Sequence, residues 1–317
     1  MAGQFTWTSD VSGVLKNNAL SSKVFRAAVA DAKVIQFVNT IDGFGRNAGE
    51  SITLPRSSNL DEPTSGALTE TQRIPEDAFT LSSKAITVTE YGRSVSFSAK
   101  AQVLTKPDLP REIEDALRRR MATTMDKTAI AAFQSAKVKA IPTDEAALTM
   151  DTDGTASTAA TVNLNYYHVE QIRDYLASTL NCPPFSGDEY FCLASTKALR
   201  GLKLDPKFEV WNKYTTPEAK AKGEVGMIEG IRFVEVKNTN VLSGSKGTGS
   251  VLGEAVFFGA DAAGMAVVDA PHLVYETNYG NDFGRQHAIA WYGILGFDII
   301  WDTANAGEAR IVHVTSA

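Results

Sequence analysis

The longest regular pattern in the chain runs through residues 107–137. Ile113, Leu117, Met121, Thr124, Thr128 and Ala132 recur three or four residues apart and draw one apolar stripe along a helix. Glu112, Asp115, Arg118, Arg119, Asp126 and Lys127 fall on the other faces. Asp108 stands where a first turn is capped, and Pro110 where a missing N–H costs nothing. At about 1.5 Å per residue the predicted rod is roughly 40 Å long. A rod of that length with a narrow stripe suits a strut laid along a sheet; a core helix of a large enzyme is the other reading.

Period two dominates elsewhere. Over residues 285–301 the odd positions hold Ile289, Trp291, Leu295, Phe297 and Ile299, while Gln286, Ala288, Ala290 and Asp298 take even ones. The pattern predicts one strand of roughly 50 Å at about 3.3 Å per residue. Residues 51–56 and 79–99 also read as strands, the second from the alternation of Ile86, Val88, Val95, Phe97 and Ala99 with Thr and Ser. Between them, residues 59–75 are polar and turn-rich. A hairpin with so little apolar surface is not stable alone and must lie on something else, either its own domain or a neighbouring subunit.

Further helices are predicted over 23–38, with Val24, Ala28, Ala32 and Ile35 inward, and over 164–180, with Val169, Ile172, Leu176 and Leu180 on one stripe. A third follows a cap at Ser195 or Thr196 and breaks near Gly201. Residues 190–194, 231–236 and 255–258 read as buried-type strands. Residues 146–160 read as a linker and 242–249 as a Gly/Ser loop. These elements predict an α+β architecture: a long helix across long antiparallel strands, with a compact domain inserted between them in sequence.

Composition narrows the function classes. The 317 residues are 44% hydrophobic and 21% charged, which is ordinary for a globular protein. The net charge of −6 gives no bulk signal of a nucleic-acid binder. Cys182 and Cys192 have neither a disulfide framework nor close Cys or His companions, so a reducing cytoplasm is the expected place of synthesis. No signal peptide is read at residues 1–10, and no apolar run approaches the ~20 residues of a membrane span.

No catalytic set assembles from the sequence, and no cofactor or metal is expected. His168, His272, His287 and His313 do not pair at helical spacing, and His287 reads as a packed or rim residue of the long strand. Residues 244–249 form a glycine loop without the order of a phosphate cradle. Asp61 and Glu62 sit in the polar stretch with no pocket to tune them. Arg118, Arg119 and Arg120 point in different directions on a helix. A solvated or salt-bridged face is the default for them; contact with packaged nucleic acid or a neighbouring subunit is the sharper alternative.

The order of elements resembles the major capsid proteins of tailed bacteriophages, the HK97-like capsid fold. Ile52-Thr-Leu-Pro55, Asn59-Leu60, Leu68-Thr-Glu70 and residues 88–95 around Tyr91-Gly92 resemble the extended loop of one coat-protein group. Gly223-Glu-Val-Gly226-Met-Ile-Glu-Gly230-Ile-Arg-Phe-Val-Glu235 resembles that group's most distinctive motif, with Phe208 and Tyr214 upstream. Residues 288–296 resemble its terminal strand. Ala194-Ser195-Thr196 departs from it, since relatives often carry a His-Pro pair there.

The resemblance implies a shell protein, not an enzyme. Residues 1–45 would be an N-terminal arm and 46–100 an extended β-hairpin loop. Residues 101–150 would be the peripheral domain with its spine helix, 151–265 the axial domain, and 266–317 long returning strands. Copies would close head to tail into pentamers and hexamers of an icosahedral capsid enclosing double-stranded DNA. Leu60, Leu68, Glu70, Arg73 and Ile74 would make the contact of the loop with a neighbour. The implied partners are other copies of the chain, a separate scaffolding protein, a portal protein, a possible decoration protein, and non-specific contact with packaged DNA. No membrane is involved. The location would be the virion after synthesis in the host bacterial cytoplasm. An encapsulin-like shell and a cytoplasmic α+β enzyme remain as alternatives. Some relatives join subunits through a loop lysine and an asparagine, but residues 51–79 hold no lysine. Denaturing gels of boiled particles should therefore show one monomer band and no ladder.

Overall fold

The computed structural model describes residues 4–5, 33–41, 49–57, 70, 73–74, 76, 79, 81–105, 107–205, 224–277, 280, 283–301 and 308–317. The expected arm helix falls mostly outside these residues, as do Asn59, Leu60, Leu68, Phe208 and Tyr214. The chain divides into two compact units, each of which gathers separated stretches of sequence.

The first unit comprises Met1–Glu50, Thr87–Ile130 and Met265–Phe297. Its sheet runs β1-β5-β13-β12-β2, with β1 Gln4–Phe5, β2 Asn39–Thr40, β5 Thr89–Ser98, β12 Ala263–Glu276 and β13 Gln286–Ile299. The long predicted strand is β13, which pairs antiparallel with β5 from Gln286↔Ser98 to Leu295↔Thr89. Period two holds along it: Ile289, Trp291, Leu295 and Ile299 are buried. The alternation expected through Ala99 ends one residue earlier. Ser98 turns instead into an N-cap, its hydroxyl accepting from the Ala101 N–H, and a short helix follows over Ala99–Leu104.

The long helix spans Leu109–Gln134. Ile113 and Leu117 are buried as the stripe predicts, with Phe97, Ile289, Trp291 and Leu295 in the same core cluster. Beyond Met121 the stripe departs from the expectation. Thr124 and Thr128 are only half-buried and donate their hydroxyls back to the carbonyls of Arg120 and Thr124. Met125, Ala129, Ile130 and Phe133 are buried there, together with Ala132 of the expected stripe. Asp126, assigned to a polar face, is buried. Its carboxylate accepts the N–H groups of Lys33 and Val34 at 2.8 Å each and of Ile35 at 3.0 Å. These donors stand at the start of a 3₁₀ turn over Ile35–Phe37, which is all the described residues show of the predicted 23–38 helix. Val34 and Phe37 face inward and Ile35 does not.

The second unit comprises Ser51–Ile86, Ala131–Gly264 and Asp298–Ala317. Its main sheet runs β7-β6-β14-β11-β8-β10-β9. Here β6 is Val138–Asp144, β7 Ala147–Asp151, β8 Tyr190–Ser195, β9 Glu224–Ile228, β10 Ile231–Val236, β11 Ala255–Phe258 and β14 Ile311–Val314. The expected linker at 146–160 begins as strand β7, because it pairs antiparallel with the buried β6, a strand with no clean period two. The Gly223–Glu235 motif contains the β9–β10 hairpin. Glu229 and Gly230 both take positive φ at its turn, which is why glycine stands there.

The predicted 164–180 helix is an α-helix over Tyr166–Asp174 continued by a π turn over Tyr175–Thr179. Val169, Ile172, Leu176 and Leu180 lie in the core of the unit. Buried His168 serves its capping box: it accepts the Asn165 N–H, and its other ring nitrogen lies 2.7 Å from the Asp144 carbonyl. Ser195 caps the next helix, which does not break at Gly201 but runs over Thr196–Leu204. Gly201 is there for space: a Cβ would overlap the Leu164 carbonyl and the Asn163 side chain. Gly201→Ala should therefore destabilise the subunit by about 1–3 kcal/mol, measured by chemical unfolding, although alanine is the better helix former.

Candidate functional site

The extended hairpin has almost no core. β3 Ser51–Ser57 and β4 Leu81–Thr87 form a sheet of two strands only. Outside its base the side chains face solvent: Leu81 is 68% exposed and Phe79 63%. Of the five residues expected to make a contact, Glu70, Arg73 and Ile74 are described, and all are exposed. Arg73 pairs with Glu76, two exposed partners whose bond is worth little. Ile74 is 68% exposed, an apolar side chain left mostly uncovered. Leu60 and Leu68 lie outside the described residues.

The base of the hairpin is fastened firmly. Ile86 is fully buried. Arg56 is nearly so; it donates from Nη1 to the Ile300 carbonyl at 2.9 Å, and its guanidinium lies 5.8 Å from the Trp301 ring centre. Arg310 stacks closer on the same ring, at 4.5 Å. Lys84 pairs with Asp298 at 3.1 Å. A fastened foot thus carries an arm on which the described apolar side chains Ile74, Phe79 and Leu81 are exposed. Sequence reading missed this foot. Arg56 and Trp301 are remote in sequence, and neither belongs to a motif.

The first unit offers a receptive surface. A groove of about 1060 Å³ runs between the long helix and the β5 edge. Its charged lining is Arg93, Arg119, Arg120 and Lys127 against Glu90 and Glu112. Arg119 also donates to the Asp115 carbonyl at 3.1 Å, while Arg118 turns away to Glu114. So the three consecutive arginines do diverge, and two of them reach the groove. Buried Trp291 also lines it, with an indole N–H that has no hydrogen-bond partner among the described residues. Among the described residues the outer edge of β5 is paired only by β1, at Ser96 and Phe97. Its stretch from Thr89 to Val95 is an open strand edge beside that groove.

Burial pushes the Cys182 thiol up to about 12 and Cys192 well above the ordinary range, so neither is a ready nucleophile. Among the described residues no group of three or more His, Cys, Asp or Glu could hold a metal ion, and no helix is long and apolar enough to cross a membrane. His287 lies half-buried with its ring 5.6 Å from that of Phe97, as a packed strand residue does.

Comparison with known proteins agrees with the geometry. The capsid of Ralstonia phage GP4 matches with a TM-score of 0.70 and 16% identity, covering 95% of each chain. The capsid of cyanophage Pam1 matches at 0.68 and 14%, covering 97% of this chain and 98% of that one. The head of Helicobacter pylori bacteriophage KHP40 gives 0.68 and 14% over 95% of both. No curated protein matches the chain in sequence. A family model described as phage capsid protein matches residues 81–308, from the returning strand of the hairpin to the threshold of β14. With most of its length inside that model, the chain belongs to the phage capsid protein family.

Proposed function

We propose that this capsid protein closes head to tail into rings of five and six, and that these build the icosahedral shell around double-stranded viral DNA. The hairpin of one copy lies in the groove of the next. The observation that carries this reading is the hairpin itself: a fixed foot, a two-stranded arm, and apolar side chains exposed along it. Charge supports the same partner. Residues 58–80 hold Asp61, Glu62, Glu70, Glu76 and Asp77 against Arg73 alone, while the groove is lined by four cations and two carboxylates. A loop on one copy and a groove on another make a heterologous contact, which closes into a ring. On this reading the first unit takes the part of a peripheral domain and the second that of an axial domain. The family match favours a viral shell over an encapsulin-like one and gives no support to an enzyme. Scaffolding, portal and decoration partners, contact with packaged DNA and synthesis in the host cytoplasm belong to the same proposal.

A cysteine pair tests the contact. Both native cysteines are buried, so background oxidation is low. Ile74→Cys combined with Thr124→Cys, oxidised in assembled particles, should give a ladder of covalently joined chains on non-reducing gels. A monomer band alone would contradict the proposal, and an intrachain bridge would show that the loop folds on its own subunit.

A further inference from the structure

We propose that Lys139, His313, Glu254 and Lys246 form an acid-sensitive latch on the last strand, β14, which holds only while His313 is neutral. The four groups converge from separate segments of the second unit. Lys139 is on β6, His313 on β14, Glu254 just before β11, and Lys246 in the glycine loop. Lys139, His313 and Glu254 are more than nine-tenths buried.

Geometry fixes the protons. The Lys139 Nζ lies 3.1 Å from His313 Nδ1 and also donates to the Gln134 carbonyl at 2.7 Å. Burial lowers Lys139 to about 8, so at pH 7 and below it is mostly an ammonium, which can only donate, and Nδ1 is the bare nitrogen. The imidazole proton then sits on Nε2, 2.7 Å from Glu254 Oε1. That oxygen also accepts from Lys246 Nζ at 3.0 Å, and Oε2 accepts the Ser243 N–H at 2.9 Å. Lys246 reaches Thr315 as well, at 3.0 Å. None of the four side chains is left with a buried polar atom that lacks a partner.

Among the described residues no carboxylate other than Glu254 is hydrogen-bonded to His313 or Lys139, although Ala317 lines the same pocket. Asp151 on β7 is the register partner of Lys139, but its carboxylate is taken by the N–H and hydroxyl of Ser157. The β11 partner of His313 is apolar Val256. A second proton on His313 would turn the Nδ1 acceptor into a donor pointed at the Lys139 ammonium. It would break that bond and set two cations side by side in a buried site.

The sign follows. Burial and the neighbouring lysines hold His313 below its ordinary 6.5, so below that pH the unfolded chain binds the proton that the folded one refuses. Stability is present above 6.5 and is lost as the pH falls from there towards the folded value. The folding equilibrium constant should fall by up to tenfold for each pH unit in that window.

Thermal unfolding of the unassembled full-length chain between pH 7 and pH 5 tests this against His313→Gln. Glutamine keeps one donor and one acceptor but cannot titrate. The wild type should lose melting temperature more steeply than the variant; parallel slopes would overturn the latch. If His313→Gln does not fold, nitrogen-15 NMR of the labelled wild type decides. A bare Nδ1 at pH 7.5 that protonates below pH 6.5 is expected, and an imidazolium or an Nδ1–H tautomer at that pH would overturn it.

Discussion

Ile74→Asp should leave a subunit that folds and melts like the parent and builds no shells. The side chain is 68% exposed in the isolated subunit, and surface changes away from a core shift stability by only about ±0.5 kcal/mol. In the proposed assembly the same side chain would be buried against the neighbour. Covering it there is worth roughly 1.5–3 kcal/mol per contact. Aspartate forfeits that gain and adds a carboxylate that must be stripped of water. The loss recurs at every copy of the contact, so a modest local change becomes complete failure of assembly. Leu68→Asp should behave alike, since the same apolar logic applies at its place in the polar stretch. Sedimentation velocity with calorimetry of the soluble subunit measures both halves of the expectation. A clear drop in melting temperature, with normal shells from the surviving protein, would mean that the loop packs on its own chain.

Asp126→Ala should cost the subunit about 3 kcal/mol or more. Three backbone N–H groups at residues 33–35 converge on this one carboxylate, at the start of the 3₁₀ turn. A buried donor left without its partner costs roughly 1–3 kcal/mol. Asp126→Asn keeps an acceptor oxygen but loses the charge, and should fall between alanine and wild type. Denaturant unfolding of the unassembled chain checks the series. A change below about 1 kcal/mol for alanine would show that the 33–37 turn is held by Val34 and Phe37 packing instead.

The large elements were legible because they obey simple periods. The stripe of Ile113 and Leu117 and the alternation of Ile289, Trp291 and Leu295 each report one buried face. The coreless hairpin was legible for the opposite reason, a lack of apolar positions to bury. What stayed hidden depends on long-range partners. Asp126 reads as an ordinary polar-face residue until residues 33–35 arrive above it. Gly201 reads as a helix breaker until Leu164 is seen filling the space a Cβ would need. Strand β6 has no alternation because Val138 through Pro142 are all buried, so neither it nor β7 announced itself. The groove belongs to no motif at all; the sequence shows only that three consecutive arginines diverge, and the fold brings Arg119 and Arg120 to one surface.

We propose a shell held by loops that reach across subunits. Electron microscopy of the purified full-length protein, brought to assembly conditions beside Ile74→Asp, tests it most directly. Closed icosahedral shells from the wild type, with density for each hairpin over the long helix of its neighbour, and only small particles from the variant, are the predicted result. Small monodisperse particles from the wild type under all conditions, or shells in which each hairpin folds back on its own subunit, would contradict it.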